Sequence, residues 1–268
     1  MKKRVAAFLL LCFVILPLYA WKEKDEVVYK ELTMQLRLNF TYTYQMPKNL
    51  SLQLFQEMRF DLVPFQEGTV FDLSLTSVTL AYKPIPYLKI DGGYMLKIAG
   101  AASTEASVTH WDIPNTYVKH RLYGGLTGSY TYRNWQFNLR ERFLCDIRLD
   151  EIDPRTTRKY ALTLRHFAKA SYNIKEKGVA PYLWIELANT LNQTEYCQKD
   201  GRQYLERWRS CLGVRYNLPS EGASRGALNF FIRYDQGMFR SARLDAEGDA
   251  HISIRRKGEY AIGIGYEI

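Results

Sequence analysis

Eleven charged side chains recur at alternate positions of patterned segments: Arg37, Glu57, Arg59, Arg121, Arg140, Arg142, Arg165, Glu186, Arg209, Arg215 and Arg233. A guanidinium keeps its charge at any working pH and can grip two oxygens of a carboxylate or phosphate at once. Open to water, such a row would line a path or binding surface favouring small anionic solutes. Paired internally, it would form an Arg-Glu ladder that fills and stiffens the fold. Arg255 extends the row, and the acids opposing it are chiefly Glu57, Asp61, Asp91 and Glu186. Glu57 and Arg59 stand two apart, so on a strand they share a face and can bond each other without a ligand. Residue types alone leave both readings open.

Other chemistries find less support. His110, His120, His166 and His251 are scattered, with no HExxH, GxSxG or nucleotide-binding loop around them. His120 and His166 lie beside Leu122 and Leu164 on the apolar face, where a base directed at lipid could sit; a lipid- or lipopolysaccharide-modifying enzyme is therefore the alternative class. No Cys or His pair has metal-ligand spacing, so neither metal nor cofactor is expected. Cys197 and Cys211 could bridge in an oxidising compartment, whereas Cys145 reads as a small hydrophobe. The formal charge is +9, but the basic residues alternate with apolar ones instead of forming an exposed patch, which argues against nucleic acid.

The elements that would carry these residues follow from periodicity. Met1 to Ala20 has three early cations, an apolar run and a small-residue end, the pattern of a secretory signal. Its removal would leave a single domain, residues 21–268, near +6. Nothing after it approaches the ~18 continuous apolar residues of a spanning helix. From Leu32 to Met46 every even position is apolar, while Thr33, Gln35, Arg37, Asn39, Thr41, Thr43 and Gln45 fill the odd ones. Such a strand is much longer than the ~5 to 6 residues usual in globular proteins, and a membrane-spanning strand needs about 9 to 11. The mean hydropathy of -0.31 conceals this, because alternation averages to neutral while leaving one apolar face.

Pro47-Lys48-Asn49 turns the chain into an opposing strand bearing Leu50, Leu52, Leu54, Met58, Phe60 and Leu62. In the third strand Phe71, Leu73 and Leu75 share the outward pattern and Val78, Leu80 and Tyr82 resume it with opposite parity, which predicts a β-bulge near Thr76-Ser77. Tyr87 to Ile98, a polar connection from Ala99 to Asn115, and a hairpin of Tyr117 to Tyr132 with Trp135 to Leu149 follow. Three further hairpins pair Lys159 to Tyr172 with Val179 to Ala188, Tyr204 to Leu218 with Ala227 to Tyr234, and Asp249 to Ile254 with Glu259 to Ile268. The count is twelve. Aromatics gather beside the short turns (Tyr42 and Tyr44, Tyr82 and Tyr87, Tyr132 and Trp135, Tyr172 and Tyr182, Tyr216 and Phe230), as interface girdles do.

The expectation is an all-β fold: a closed antiparallel transmembrane β-barrel of about twelve strands in the bacterial outer membrane, with a basic interior. Closure is required because an open sheet would leave unpaired amides in hydrocarbon. A secreted soluble barrel, with the alternation reversed, is a third reading. Short turns follow odd-numbered strands, which with twelve strands would put both chain ends on the side of the long loops, against the usual arrangement.

Glu57-x-Arg59-Phe60, Gly93-Tyr94, Arg140-Glu141-Arg142-Phe143, Arg165, Glu186 and Gly213-x-x-Tyr216 together resemble the bacterial outer-membrane β-barrel family catalogued as domain of unknown function 2490. The resemblance implies location and architecture and carries no chemistry. Tyr260, Ile262, Ile264 and Tyr266 resemble the closing strand that the outer-membrane assembly machinery reads, although the last residue is Ile268 instead of Phe. The expected partners are thus outer-membrane lipid, that machinery, and small anionic solutes if the lumen is open.

Overall fold

The computed structural model describes residues 28–63, 70–99, 117–147, 159–174, 177–194, 205–219, 226–244 and 250–268. The expected leader, His110, Cys197 and nearly all of the Ala99 to Asn115 connection lie outside them. Eleven strands are formed: β1 (Val28–Met46), β2 (Leu50–Val63), β3 (Val70–Ile85), β4 (Leu88–Ala99), β5 (Tyr117–Tyr132), β6 (Trp135–Ile147), β7 (Tyr160–Tyr172), β8 (Val179–Thr190), β9 (Leu205–Asn217), β10 (Ala227–Leu244) and β11 (Ala250–Glu267). Each pairs with its sequence neighbours, and β1 closes the barrel against β11.

Eleven replaces twelve because the two strands expected at the end of the chain are one. Arg255-Arg256-Lys257-Gly258 interrupts the apolar alternation and so reads as a turn. In the barrel it is paired on both sides, with Tyr29 to Leu32 of β1 and Gln236 to Phe239 of β10. An odd number of alternating strands cannot close on itself antiparallel throughout, so the β1 and β11 seam is parallel. Thr43 accepts the chain into this seam by donating its backbone N–H to the Ile268 carbonyl at 2.8 Å. Val28 therefore starts at the rim of the long connections and Glu267 finishes at the rim of the short turns.

The alternation resolves into an apolar outside and a polar inside. Leu139 is 67% exposed and Ile232 62%, whereas Arg37 and Gln35 have no exposed surface. The apolar rows therefore do not meet one another in a dry centre. The tyrosines and tryptophan expected beside the short turns stand on this outer surface, with one exception. Tyr182 points inward and is 8% exposed. The girdle pattern places it outward, but β8 carries apolar residues on both faces, so alternation does not fix its direction.

In β3 the parity change is real but lies earlier. Arg59 pairs with Leu73 and Phe60 with Phe71, so Asp72 is the extra residue and the expected bulge at Thr76-Ser77 is absent. Leu73 (3% exposed) and Leu75 (8%) consequently face the interior and not the outer surface. Phe71 stays outside, edge-on to Phe60 at 5.9 Å.

Three interior aromatic rings lie over glycines of the adjoining strand: Tyr123 over Gly93, Tyr182 over Gly213 and Phe231 over Gly263. A glycine there removes the side chain that would stand between ring and wall, and the ring covers the bare backbone in return. At Gly93 an added Cβ would run into the Val78 carbonyl oxygen and the Tyr123 ring. Gly93→Ala is expected to destabilise the barrel by about 1–3 kcal/mol, the usual cost of overpacking, read as a lowered midpoint of the heat-induced gel shift.

Candidate functional site

All eleven of the charged residues singled out above project into the barrel, and most are gathered at one height. The organising groups are carboxylates. Glu186 of β8 bonds Arg209 of β9 (2.8 Å), with Arg165 of β7 at 3.5 Å and Arg140 of β6 at 3.6 Å. Asp235 of β10 takes a two-pronged grip from Arg233 (2.6 Å for each bond) and lies 3.3 Å from Arg37 and 3.4 Å from Arg209. Arg37 of β1 also binds Glu259 of β11, and Glu57 accepts from Arg59 at 2.6 Å. Arg37 is fully buried, and its head is held from two strands other than its own.

Several of these contacts skip a strand. Arg37 reaches Asp235 past β11, Arg140 reaches Glu186 past β7, and Arg142 of β6 reaches Asp91 of β4 at 2.7 Å past β5. Because strands in a barrel tilt, residues level with one another are offset along their own strands, and long side chains bridge that offset. Lys89 adds a second cation to Asp91 at 3.9 Å, and Arg121 grips Asp146 with both prongs. Nearer the short-turn rim Arg215 meets Glu267 at 3.1 Å. Gln35 completes the packing above Arg37, bonding Asp61 (2.7 Å), Asp72 (2.8 Å) and Arg37 (3.1 Å).

Some guanidinium donors in this filling are left over. The Nε groups of Arg37, Arg140, Arg142 and Arg165 are buried without a hydrogen-bond partner among the described residues. The interior is thus basic, as the composition suggests, but its cations are largely engaged by acids. Asp235 and Glu259 are acids of this layer that sequence reasoning passed over. The signal for Asp235 was present: two positions after Arg233, it shares that residue's face.

His120 and His166 stand on the outer face. His120 Nδ1 lies 2.5 Å from the Tyr94 hydroxyl. His166 Nδ1 lies 2.6 Å from Glu141, and its Nε2 is 3.4 Å from the Asn189 amide. No group of three His, Cys, Asp or Glu is placed among the described residues to hold a metal. Among the described residues Cys211 is a free, buried thiol on the inner face, and Cys145 is free and half-buried on the outer one; the expected partner of Cys211, Cys197, lies outside them.

Apolar outside, salt-bridged inside and closed by hydrogen bonds all round, the fold defines a β-barrel of the inside-out kind. The chain belongs to the family described as protein of unknown function (DUF2490), whose model matches residues 34–234. No curated protein and no solved structure matches it.

Proposed function

We propose that the protein is an outer-membrane barrel whose lumen is closed at mid-height by its own ion pairs, a non-conducting membrane component and not a pore open at rest. The observation that carries this is Arg37: without exposed surface, it is bound by Asp235 and Glu259 from other strands. A freely hydrated channel would leave such a guanidinium in water. Membrane residence is supported by the outward apolar rows, by strands of 12 to 19 residues, and by tyrosines gathered near the short turns.

The outward Glu141 and His166 pair favours an enzyme less. Glu141 and His166 are each the seventh residue of a thirteen-residue strand. A lipid ester lies at the interface, whereas this pair is half-way up the apolar face. Two measurements test the proposal. The protein is expected to resist extraction by carbonate and urea and to dissolve with detergent. Reconstituted in planar bilayers it is expected to show no steady current, and an ohmic, anion-selective conductance from wild-type protein would overturn the closed-lumen reading.

A further inference from the structure

Directly on the short-turn side of the ion-pair layer lies a cavity of about 190 Å³. Its lining follows from the two-residue period of the strands. After Arg37 the next inward positions are Asn39 and Thr41; after Arg165 they are Phe167 and Lys169; stepping back from Glu186 they are Trp184 and Tyr182, and all six line the cavity. Chemistry thus changes abruptly along each strand, from paired charge to aromatic and amide. Tyr182 and Phe231, which border the space, occupy the room that a side chain at Gly213 or Gly263 would fill.

One group in this lining is out of keeping with its surroundings. Lys169 Nζ sits 4.3 Å from the centroid of the Tyr182 ring, and no carboxylate among the described residues forms an ion pair with it. Glu267, the acid that acts on it, is already engaged by Arg215 (3.1 Å) and by the Asn229 amide (2.9 Å). The ring face offsets only part of the cost of removing an ammonium from water. Arg233, which also borders the cavity, is neutralised by Asp235. The cavity, which Glu267 also borders, therefore combines aromatic walls with a cation, Lys169, that no carboxylate among the described residues engages in an ion pair.

We propose that this cavity is a binding site for a small aromatic carboxylate, the ring packed among Phe167, Trp184 and Phe231 and the carboxylate paired with Lys169. Size agrees, since a cavity of ~150 Å³ already accepts a benzene ring. So does selectivity. A neutral ring of the same shape fills the walls but leaves the ammonium unpaired, whereas the acid satisfies both. The ion-pair layer closes the inner end, so the site binds and does not conduct. It does not depend on which membrane, if any, surrounds the barrel.

The test uses the full-length barrel in detergent, titrated with sodium benzoate and, separately, with its neutral counterpart benzyl alcohol. Tryptophan fluorescence and the shift of the unfolding midpoint are followed. Benzoate is expected to saturate and to bind at least about tenfold more tightly than benzyl alcohol. Lys169→Met is expected to bring the two affinities within about twofold, and Lys169→Arg to keep the preference. Linear, unsaturating responses to both compounds would mean partition into detergent and would refute the site; so would an undiminished preference in Lys169→Met. If Lys169→Met does not fold, the wild-type ratio decides alone, a value near one refuting the proposal.

Discussion

Replacing Glu186 by Gln is expected to cost the barrel about 3–5 kcal/mol of unfolding free energy, the range seen when one partner of a buried ion pair is removed. The substitution keeps the shape of the side chain and removes only its charge. Arg209, Arg165 and Arg140 would then face one another with their common counter-charge gone, in a layer where several guanidinium N–H groups already lack acceptors. Urea titration in a fixed detergent reads the effect directly. A loss below about 1 kcal/mol, the value of an exposed pair, would mean that water reaches this layer freely and that the lumen is open.

The second large effect is expected outside. Leu139→Arg places a cation on the outward face of β6, where the leucine is 67% exposed. In a bilayer an arginine near mid-depth costs about 2–4 kcal/mol; on a surface facing water the same change stays within about 0.5 kcal/mol. Unfolding in phospholipid vesicles separates the two cases. A neutral result would overturn membrane residence while leaving the interior arrangement untouched. Together the two substitutions test the two faces of one wall independently.

Much of that wall was legible from residue order, because a strand with one apolar and one polar face writes itself as a period of two. β1, β2 and β6 are cases in which almost no position departs from the rule. Legibility failed where both faces carry apolar groups. Leu73, Leu75 and Tyr182 are apolar residues turned inward, and parity alone cannot distinguish a bulge at Asp72 from one at Thr76-Ser77. It failed again where a polar stretch sits within a strand: Arg255 to Gly258 has its amides satisfied from two sides, and no local signal reports partners more than two hundred positions away.

The interior was legible by face and not by height. Alternation says that Arg37 and Asp235 both point inward. It does not say that the tilt of the strands brings them to one level across an intervening strand. The same limit hid the cavity, since Lys169, Trp184 and Tyr182 gain their meaning only from the layer they lie beneath. The glycine and ring pairs are likewise cross-strand facts: Gly213 takes its partner from β8 and Gly263 from β10.

The parallel seam has a topographic consequence. With an odd number of passes, the first residue of β1 and the last of β11 lie at opposite rims, and so on opposite sides of a bilayer if the barrel spans one as proposed. An epitope joined ahead of Val28 and another joined behind Ile268 would therefore never be reached by the same impermeant antibody in a sealed vesicle. Whichever tag is shielded would also report which rim looks inward.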